Sequence, residues 1–294
     1  MSSIAIIRPG ALGDIFCILP LVPLIRKVYS GISIYCADVN FAILNQFVLD
    51  NGPQLKIKFA PLSDLRAEDY DKVLTISGYP AHEGYPNQEL RRHIIKNYAL
   101  ELGVSIEGDI PSPELASYPP PPELIGKSKI ITIQTQTGWS RYKELGFSET
   151  VKLIDSIKKA APDVHICHIG GPDHVPLPNV DSSFLGQPFE NNVAAQSWAD
   201  LHVGPDSIFN HTSNITWSHK GRKTKAIIYF GSTSPRGHGY FDNINIYRGL
   251  ECQPCYRENP EISSQNTTPC PYEHKCLKNS LTSEEILSNI LRNI

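Results

Sequence analysis

The feature that most constrains this chain is a run of four prolines at 119–122, which separates two stretches of alternating strand and helix patterns. Proline has no backbone N–H to donate, so such a run cannot form a helix interior or a central strand and forms a stiff, extended connector instead. We therefore predict a linker at residues 119–126, between a first domain at 1–118 and a second at 127–281. A closing helix at 282–294 follows, and a length of 294 residues suits two domains.

The first half alternates short apolar runs, which are typical of strands, with helical patterns. The predicted strands are SIAIIR, GISIYCA, LKIKFA and DKVLTIS, and the predicted helices are 14–28, 39–50 and NQELRRHIIKNYALELG, which ends at Gly103. Glycine commonly follows the last residue of a helix. Alternation of this kind indicates βαβ units and a mainly parallel sheet.

The second half restarts the same pattern after the prolines. Its predicted strands are KIITIQ, VHICHIG, DLHVGP and KAIIYFG, its predicted helices are 147–160, FENNVAAQSWA and 207–219, and its last helix begins with a capping box of Thr282 and Glu285. Two consecutive α/β domains of similar size predict two facing Rossmann-like domains with a cleft between them. Ligands of such sheets bind beyond the carboxyl ends of the strands.

Composition argues against several classes of protein. The net charge of −3 lacks the basic excess of a dedicated nucleic-acid-binding protein. The longest apolar stretch, residues 15–25, is shorter than the roughly 20 residues that a membrane-spanning helix needs. Arg8 and Asp14 interrupt the apolar N-terminus, so we expect no signal peptide and a cytoplasmic protein.

A glycine loop, RPGALGD, follows the first predicted strand. It contains Gly10 and Gly13 but lacks the G-x-G-x-x-G spacing of a dinucleotide-binding loop. Asp14 follows at the start of a helix, where the helix dipole stabilises a carboxylate. The same carboxylate can serve as a general base, because the glycines let a substrate approach the backbone closely. Since a carboxylate would repel a diphosphate, we expect this loop to receive a neutral, hydroxyl-bearing acceptor.

The stretch VGPDSIFNH repeats this strand-to-helix pattern in the second half. Asp206 and Ser207 begin the predicted helix, where backbone N–H groups suit a phosphate. His211 lies four residues beyond Ser207, on the same face of the helix. An ordinary helix cap followed by a helical histidine would give the same pattern.

Two further stretches carry candidate phosphate ligands. FGSTSP follows a predicted strand and brings Gly231, Ser232 and Thr233 into a turn, where hydroxyl groups can donate to phosphate oxygens. WSRYKELGF follows the first strand of the second domain, and its Arg141 and Lys143 are candidate ligands of a diphosphate. A polar turn and solvated surface charges are the simpler interpretations of these residues.

Taken in this order, the motifs resemble glycosyltransferase family 9, the bacterial heptosyltransferases that build the inner core of lipopolysaccharide. The resemblance covers nearly the whole chain and rests on RPGALGDIFCILPLVPLIRK, on the lysine of WSRYKELGF, and on HVGPDSIFNHTSNI followed by IIYFGSTSP. It implies the GT-B fold and inverting transfer of a sugar without a catalytic metal. The implied donor is a nucleotide sugar, with ADP-heptose as first choice. The implied acceptor is a glycan, a lipid-linked sugar or a protein, reached with or without peripheral association with the inner membrane face.

The resemblance also implies roles for individual residues. Asp14 matches the base that deprotonates the acceptor hydroxyl, and Lys143 matches the lysine that meets the donor's phosphates. Asp206 matches the aspartate that contacts the donor sugar, and His211 matches the histidine of the same helix. The remaining members of the implied donor site are Ser207 and Ile208, which offer backbone N–H groups to the diphosphate, and Gly231, Ser232 and Thr233.

Other interpretations stay open beside this one. The donor can be a UDP- or GDP-sugar, or the chain can be a sugar-nucleotide or metal-binding protein whose transferase site has decayed, although the intact Asp14 and Lys143 argue against decay. An NAD-dependent dehydrogenase is disfavoured by both glycine loops. Asp69 and Asp71 form a D-x-D pair, which holds a divalent metal in the other large glycosyltransferase fold, but the rest of that fold's pattern is absent.

Four of the seven cysteines crowd into residues 252–276 with the spacing C-x2-C-x14-C-x5-C. In a cytoplasmic protein such a cluster favours a metal over disulfides. Four thiolates suit a closed, structural site for Zn²⁺ or iron. The expected ligands are Cys252, Cys255, Cys270 and Cys276, any one of which His274 can replace. Thiols without metal, or two disulfides, are the alternatives.

Overall fold

Two parallel β-sheets, one on each side of the proline run, form the framework of the chain in a computed structural model. The structure describes residues 2–49, 57–79, 92–110, 118–138, 140–215, 223–255, 270–278 and 280–294. Among the strands that the structure describes, those before the prolines pair with one another, and so do those after them.

The N-terminal domain contains a four-stranded sheet with the order β3-β2-β1-β4. Its strands are β1 (Ser3–Ile7), β2 (Gly31–Cys36), β3 (Ile57–Pro61) and β4 (Lys72–Thr75), and its helices are α1 (Leu12–Phe16), α2 (Val22–Ile25), α3 (Asp38–Leu49) and α4 (Ile94–Leu102). All neighbouring strands run parallel, with Ile4 aligned to Ile32 on one side and to Lys72 on the other. The four predicted strands and their parallel arrangement are thus confirmed.

The single helix predicted over 14–28 is wrong. The segment forms α1, a 3-10 turn at Leu19–Leu21 and α2, with Pro20 and Pro23 at the first turns of the two later pieces. A proline inside a helix removes one hydrogen bond and clashes with the preceding turn, so the chain bends at each proline. The bent segment still buries its apolar side chains, in a core cluster that also contains residues from beyond the proline run, such as Phe209.

Helix α4 begins and ends at polar or glycine caps. The His93 ring accepts a hydrogen bond from the N–H of Ile95 at its start (3.2 Å). Gly103 adopts a left-handed φ of 71° at its end, which a residue with a Cβ rarely does. The predicted end of this helix is therefore confirmed. Its predicted start is wrong, because the helix begins at Ile94 after the cap at His93; residues 87–91 lie outside the described residues.

The C-terminal domain contains a six-stranded sheet with the order β10-β9-β8-β5-β6-β7. Its strands are β5 (Ile130–Ile133), β6 (His165–His168), β7 (Ser182–Ser183), β8 (Leu201–Pro205), β9 (Lys225–Tyr229) and β10 (Ile244–Ile246), and its helices are α5 (Phe147–Ala160), α6 (Phe189–Trp198), α7 (Ile208–Ile215), α8 (Pro235–His238) and α9 (Ser280–Asn293). The four predicted strands are confirmed, and β7 and β10 are additional. Helix α5 has the predicted bounds, and residues 216–219 of the predicted third helix lie outside the described range.

The predicted capping box of the last helix is wrong. Helix α9 begins at Ser280, so Thr282 lies within it and not at its cap. The buried Thr282 hydroxyl accepts from Arg248 Nε (3.0 Å) and donates to the carbonyl of Cys276 (3.3 Å). Glu285 forms an ion pair with Arg248 (3.0 Å). Both side chains therefore join the helix to the preceding segment and do not cap it.

The two domains meet through α1 and α7, which follow β1 and β8. A Cβ added to Gly13 would lie 3.2 Å from the His211 ring and 3.6 Å from Ile208 Cα. The Phe16 and Phe189 rings pack edge to face across the interface, with centroids 5.7 Å apart. The carboxyl ends of the central strands of both sheets thus face one shared region. No helix among the described residues is long and apolar enough to cross a membrane.

Candidate active site

The loop after β1 carries an ion pair between Arg8 and Asp14. Arg8 Nη2 lies 2.6 Å from Asp14 Oδ2, and Arg8 Nε donates to the buried hydroxyl of Tyr98 (2.8 Å). The exposed fraction of the side chain is 20% for Asp14 and 11% for Arg8. The Asp14 carboxylate is therefore fixed on one side and accessible from the other, which suits a group that exchanges a proton with a bound substrate.

Gly10 lets the loop backbone close over this ion pair. A Cβ at this position would lie 2.5 Å from Arg8 Cζ and 2.6 Å from Asp14 Oδ2, closer than real Cβ contacts. The carbonyl of Gly10 accepts a hydrogen bond from Asn40 Nδ2 of α3 (2.7 Å). The glycines that the sequence assigns to the acceptor loop thus have distinct neighbours: Gly10 covers the ion pair, and Gly13 adjoins the second domain.

On the other side of the interface, Asp206 follows β8 and is enclosed by donors. Lys143 Nζ lies 3.1 Å from its Oδ2 and 3.2 Å from its backbone carbonyl. Thr233 Oγ1 donates to Oδ2 (2.7 Å), and Asn210 Nδ2 donates to Oδ1 (3.1 Å). Burial opposes ionisation, but Lys143 and the hydrogen bonds outweigh it and hold the pKa of Asp206 below its usual range.

Lys143 ends a 3-10 turn, Arg141–Lys143, whose backbone is fixed by its surroundings. The buried Ser140 caps the turn by accepting from the N–H of Tyr142 (3.3 Å). A Cβ at Gly231 would lie 1.9 Å from the carbonyl oxygen of Tyr142, so only glycine lets the loop after β9 pack against the turn. The Gly231 predicted from the sequence therefore positions the turn that carries Lys143.

The hydroxyl residues near Lys143 differ in their hydrogen-bond partners. The Ser207 hydroxyl donates to Gln134 Oε1 and accepts from the N–H of Phe209 (3.3 Å). Thr233 is bound to Asp206, as described above. Ser232 Oγ is buried and has no hydrogen-bond partner among the described residues. Within the same part of the chain, nothing accepts from the N–H groups of Ser207 and Ile208, which remain available to an anion.

His211 of α7 is buried where the domains meet. Its Nδ1 lies 2.9 Å from the Tyr240 hydroxyl and 3.4 Å from Cys17 Sγ of the other domain. Burial lowers the pKa of His211 to about 4. The His93 ring packs on Tyr240 with centroids 4.9 Å apart, and burial also lowers the pKa of His93. The histidine predicted from the sequence therefore lies where the domains meet and is itself uncharged near pH 7.

Sequence reasoning missed Arg8 and Tyr98 as parts of the site. Arg8 directly follows the strand, so its place at the carboxyl end of β1 was a usable signal. Tyr98 gave none, since its ring belongs to the buried face of α4. The D-x-D pair lies elsewhere: Asp71 precedes β4 and accepts from the backbone N–H of Ser3 (2.7 Å) and from its hydroxyl (3.0 Å), at the amino end of the sheet.

Two of the four clustered cysteines, Cys255 and Cys270, lie near Tyr142, whose ring is 4.9 Å from that of His274. Burial raises the pKa of Cys276 to about 12, with further contributions from the nearby Cys270 and Cys252. Cys255 and Cys270 are close enough to add to the effect of burial in raising the pKa of Tyr142. None of the four forms a disulfide. Within the described ranges, no three side chains of the metal-binding types are gathered at metal-ligand distances.

No protein-family model matches the chain, and no curated protein matches it by sequence. Its fold is similar to that of several solved structures. The iron-containing dodecameric glycosyltransferase TibC from enterotoxigenic E. coli H10407 superposes with a TM-score of 0.71 at 13% identity, over 99% of this chain and 76% of that one. TibC has also been solved in complex with ADP-D-β-D-heptose.

Two more structures show the same similarity. The E. coli ADP-heptose LPS heptosyltransferase II gives a TM-score of 0.66 at 12% identity, over 99% of this chain and 98% of that one. A family 9 glycosyltransferase from Veillonella parvula DSM 2008 gives 0.58 at 14% identity, over 83% and 85% of the two chains. The chain therefore has the GT-B fold, in the form that these family 9 glycosyltransferases and heptosyltransferases share.

Proposed function

We propose that the chain is an inverting glycosyltransferase that moves a sugar from a nucleotide sugar to an acceptor hydroxyl. The observation that carries the proposal is the meeting of two unlike groups at one interface. The accessible carboxylate of Asp14 follows β1, and the ammonium of Lys143 lies beside the start of α7. The first suits an acceptor hydroxyl, and the second suits a diphosphate.

In the proposed reaction, Asp14 accepts the proton of the acceptor hydroxyl. The oxygen of that hydroxyl attacks the anomeric carbon of the donor at the same time. The bond between that carbon and the diphosphate oxygen breaks, and the nucleoside diphosphate leaves with the electron pair. Lys143 and the N–H groups of Ser207 and Ile208 stabilise the negative charge that develops on the leaving group. Attack from the side opposite the leaving group inverts the anomeric configuration.

ADP-heptose is the proposed donor. The fold is shared with TibC, solved with ADP-D-β-D-heptose, and with an ADP-heptose LPS heptosyltransferase. The acceptor is proposed to be a glycan, a lipid-linked sugar or a protein, with peripheral association with the inner membrane face for the lipid-linked case. A role in lipopolysaccharide synthesis and a cytoplasmic location follow from the same proposal.

A thermal-shift screen against ADP-, UDP-, GDP- and CMP-sugars tests the donor. We expect an ADP-sugar to raise the melting temperature of the wild type and to lose this effect in Lys143→Met. Lys158→Met is the matched control, because Lys158 forms an ion pair with Asp181 in the same domain, beside the edge strand β7 and away from the central strands β5 and β8. A wild type that no nucleotide sugar stabilises would contradict the transferase and favour a decayed site.

We also propose that Cys252, Cys255, Cys270 and Cys276 hold a structural Zn²⁺ or iron ion. In support, the four thiols come from two short segments that lie beside Tyr142, and the structural neighbour TibC contains iron. Binding requires these segments to draw the thiols closer together than they now are. Four protein ligands leave no open position, so the ion would stabilise the turn of Lys143 and take no part in transfer.

Metal content and chelation test this site. We expect about one metal ion per chain, lost in Cys270→Ser, and a fall in melting temperature of at least about 5 °C after chelation. Cys36→Ser is the control, because Cys36 is buried in the other domain. A metal-free preparation that melts at the same temperature as the untreated protein would contradict the proposal.

A further inference from the structure

Asp206 is the most enclosed charged group in the candidate site. Only 2% of its side chain is exposed. Its Oδ1 accepts from Asn210, and its Oδ2 accepts from both Lys143 and Thr233. A carboxylate offers about four acceptor positions, so three are already used by protein donors. A sugar hydroxyl could use only the one remaining position, and the low exposure of the side chain leaves little access to it.

Two observations show that the Asp206 carboxylate is built to stay charged. A buried carboxylate is stable only when it is paired and hydrogen-bonded, and here a lysine and two neutral donors supply those contacts. The histidines near Asp206 include His211, His238 and His93, and burial lowers the pKa of all three. Burial also raises the pKa of the nearby Cys17 and Tyr240, so neither adds a charge near pH 7. These histidines are therefore neutral near pH 7, and Lys143 is the cation that balances Asp206.

The backbone of Lys143 does not need Asp206. Its turn is held by Ser140 and by the close packing of Gly231 on Tyr142. What Asp206 fixes is the side chain, since both its carbonyl and its Oδ2 accept from Lys143 Nζ. A lysine side chain has about 2 kcal/mol of rotamer freedom to lose when it is held in one direction. The contact with Asp206 therefore orients the ammonium before any ligand arrives, and 12% of the side chain stays exposed.

We infer that Asp206 is a positioning residue that acts on the donor through Lys143, by holding the ammonium in place for a nucleoside diphosphate, and that it does not contact the sugar. This inference rests on the proposed function and replaces the sugar contact that the family resemblance implies. It has a direct consequence for binding. A contact with the sugar discriminates between a nucleotide sugar and the free nucleotide, whereas a contact that orients Lys143 serves both ligands equally.

Calorimetric titration of ADP and of ADP-heptose distinguishes these roles in four proteins: wild type, Asp206→Asn, Lys143→Met and the double variant. We expect Lys143→Met to weaken both ligands about 10- to 100-fold, the equivalent of a lost charge-assisted hydrogen bond. Asp206→Asn should weaken both ligands by the same factor, about 3- to 10-fold, through the released lysine. In the Lys143→Met background, Asp206→Asn should cause no further loss, because only repulsion between the carboxylate and the diphosphate is left to remove.

Asp181→Asn is the matched control. Asp181 forms an ion pair with Lys158 and accepts from the N–H of Ile166, at the far edge of the same sheet. The same substitution there should leave both affinities unchanged. If Asp206→Asn does not fold, Thr233→Val is the alternative variant. Valine keeps the shape of threonine but removes one donor to the Asp206 carboxylate, and we expect the affinity for both ligands to fall about two- to threefold.

Two results would overturn the positioning role. One is a loss of ADP-heptose affinity in Asp206→Asn with unchanged ADP affinity, because that result places the carboxylate on the sugar. The other is an equal loss of ADP affinity with and without Lys143, because the effect then bypasses the lysine. If the screen identifies UDP or GDP sugars instead, the same titrations use that pair of ligands. A wild type that binds no nucleotide refutes the proposed function itself, and the positioning role fails with it.

Discussion

Asp14 and Asp206 occupy equivalent places in the two domains, each just after a central parallel strand and at the start of a helix, yet their environments differ. Asp14 has 20% of its side chain exposed and one cationic partner, Arg8. Asp206 has 2% exposed and donors from three separate segments. The same strand-to-helix pattern therefore produces an accessible carboxylate in one domain and an enclosed one in the other.

The difference follows from where the partner cation comes from. Arg8 precedes Asp14 in the same loop, so the pair forms locally and leaves the far side of the carboxylate open. Lys143 reaches Asp206 from a turn 63 residues earlier, and that turn, α7 and the loop after β9 together surround the carboxylate. Local pairing suits a group that must exchange protons with a substrate. Enclosure suits a group that must hold another side chain still.

The largest effect that tests this comparison is on turnover. Asp14→Asn keeps the shape of the side chain but cannot accept a proton, so we expect turnover to fall about 10²- to 10⁴-fold. ADP binding should stay unchanged, because the role proposed for Asp14 is on the acceptor and not on the nucleotide. Turnover is measured as the release of nucleoside diphosphate in the presence of acceptor, and ADP affinity is measured by calorimetry. Turnover within threefold of the wild type would exclude Asp14 as the base.

The second effect is on stability, where we expect substitution of Asp206 to cost more than substitution of Asp14. Removing one partner of a buried ion pair leaves an uncompensated charge, so Asp206→Ala should lower the free energy of unfolding by about 3–5 kcal/mol. Asp14→Ala breaks a partly exposed pair and should cost about 1 kcal/mol. Urea denaturation of both variants measures the difference. Equal losses would show that the two carboxylates are not differently enclosed.

The sequence predicts most of the framework, because most of the strands are apolar runs of four to six residues. Parallel strands that are covered on both faces typically have such runs. It does not predict β7, since the two serines Ser182–Ser183 carry no apolar pattern and pair only because β6 lies beside them. It also places a capping box at Thr282, where the hydroxyl instead bonds Arg248 and Cys276. In both cases a tertiary contact decides what the local pattern leaves open.

The candidate site shows the same limit. Asp14, Lys143 and Asp206 can be chosen from the sequence because each follows a predicted strand. Tyr98 cannot, because its position in α4 is that of an ordinary core residue. The packing that aims its hydroxyl at Arg8 depends on Gly78, whose φ of 71° and missing Cβ make room for the Tyr98 ring. No pattern around Tyr98 encodes that distant glycine.

The smallest effect tests whether Asp14 depends on this packing. Tyr98→Phe removes the hydroxyl that accepts from Arg8 Nε and leaves that largely buried donor unpaired, so we expect a loss of about 1–2 kcal/mol in the free energy of unfolding. Arg8 then loses one of the contacts that fix Asp14, and turnover should fall roughly three- to tenfold with ADP binding unchanged. Tyr35→Phe is the matched control, because it removes another tyrosine hydroxyl of the same domain, paired with Tyr70 (2.8 Å). If both variants lowered turnover alike, the loss would reflect the stability of the domain and not the orientation of Arg8. If only Tyr98→Phe lowered turnover, the accessible carboxylate of Asp14 would itself depend on a buried partner, as we infer that Lys143 depends on Asp206.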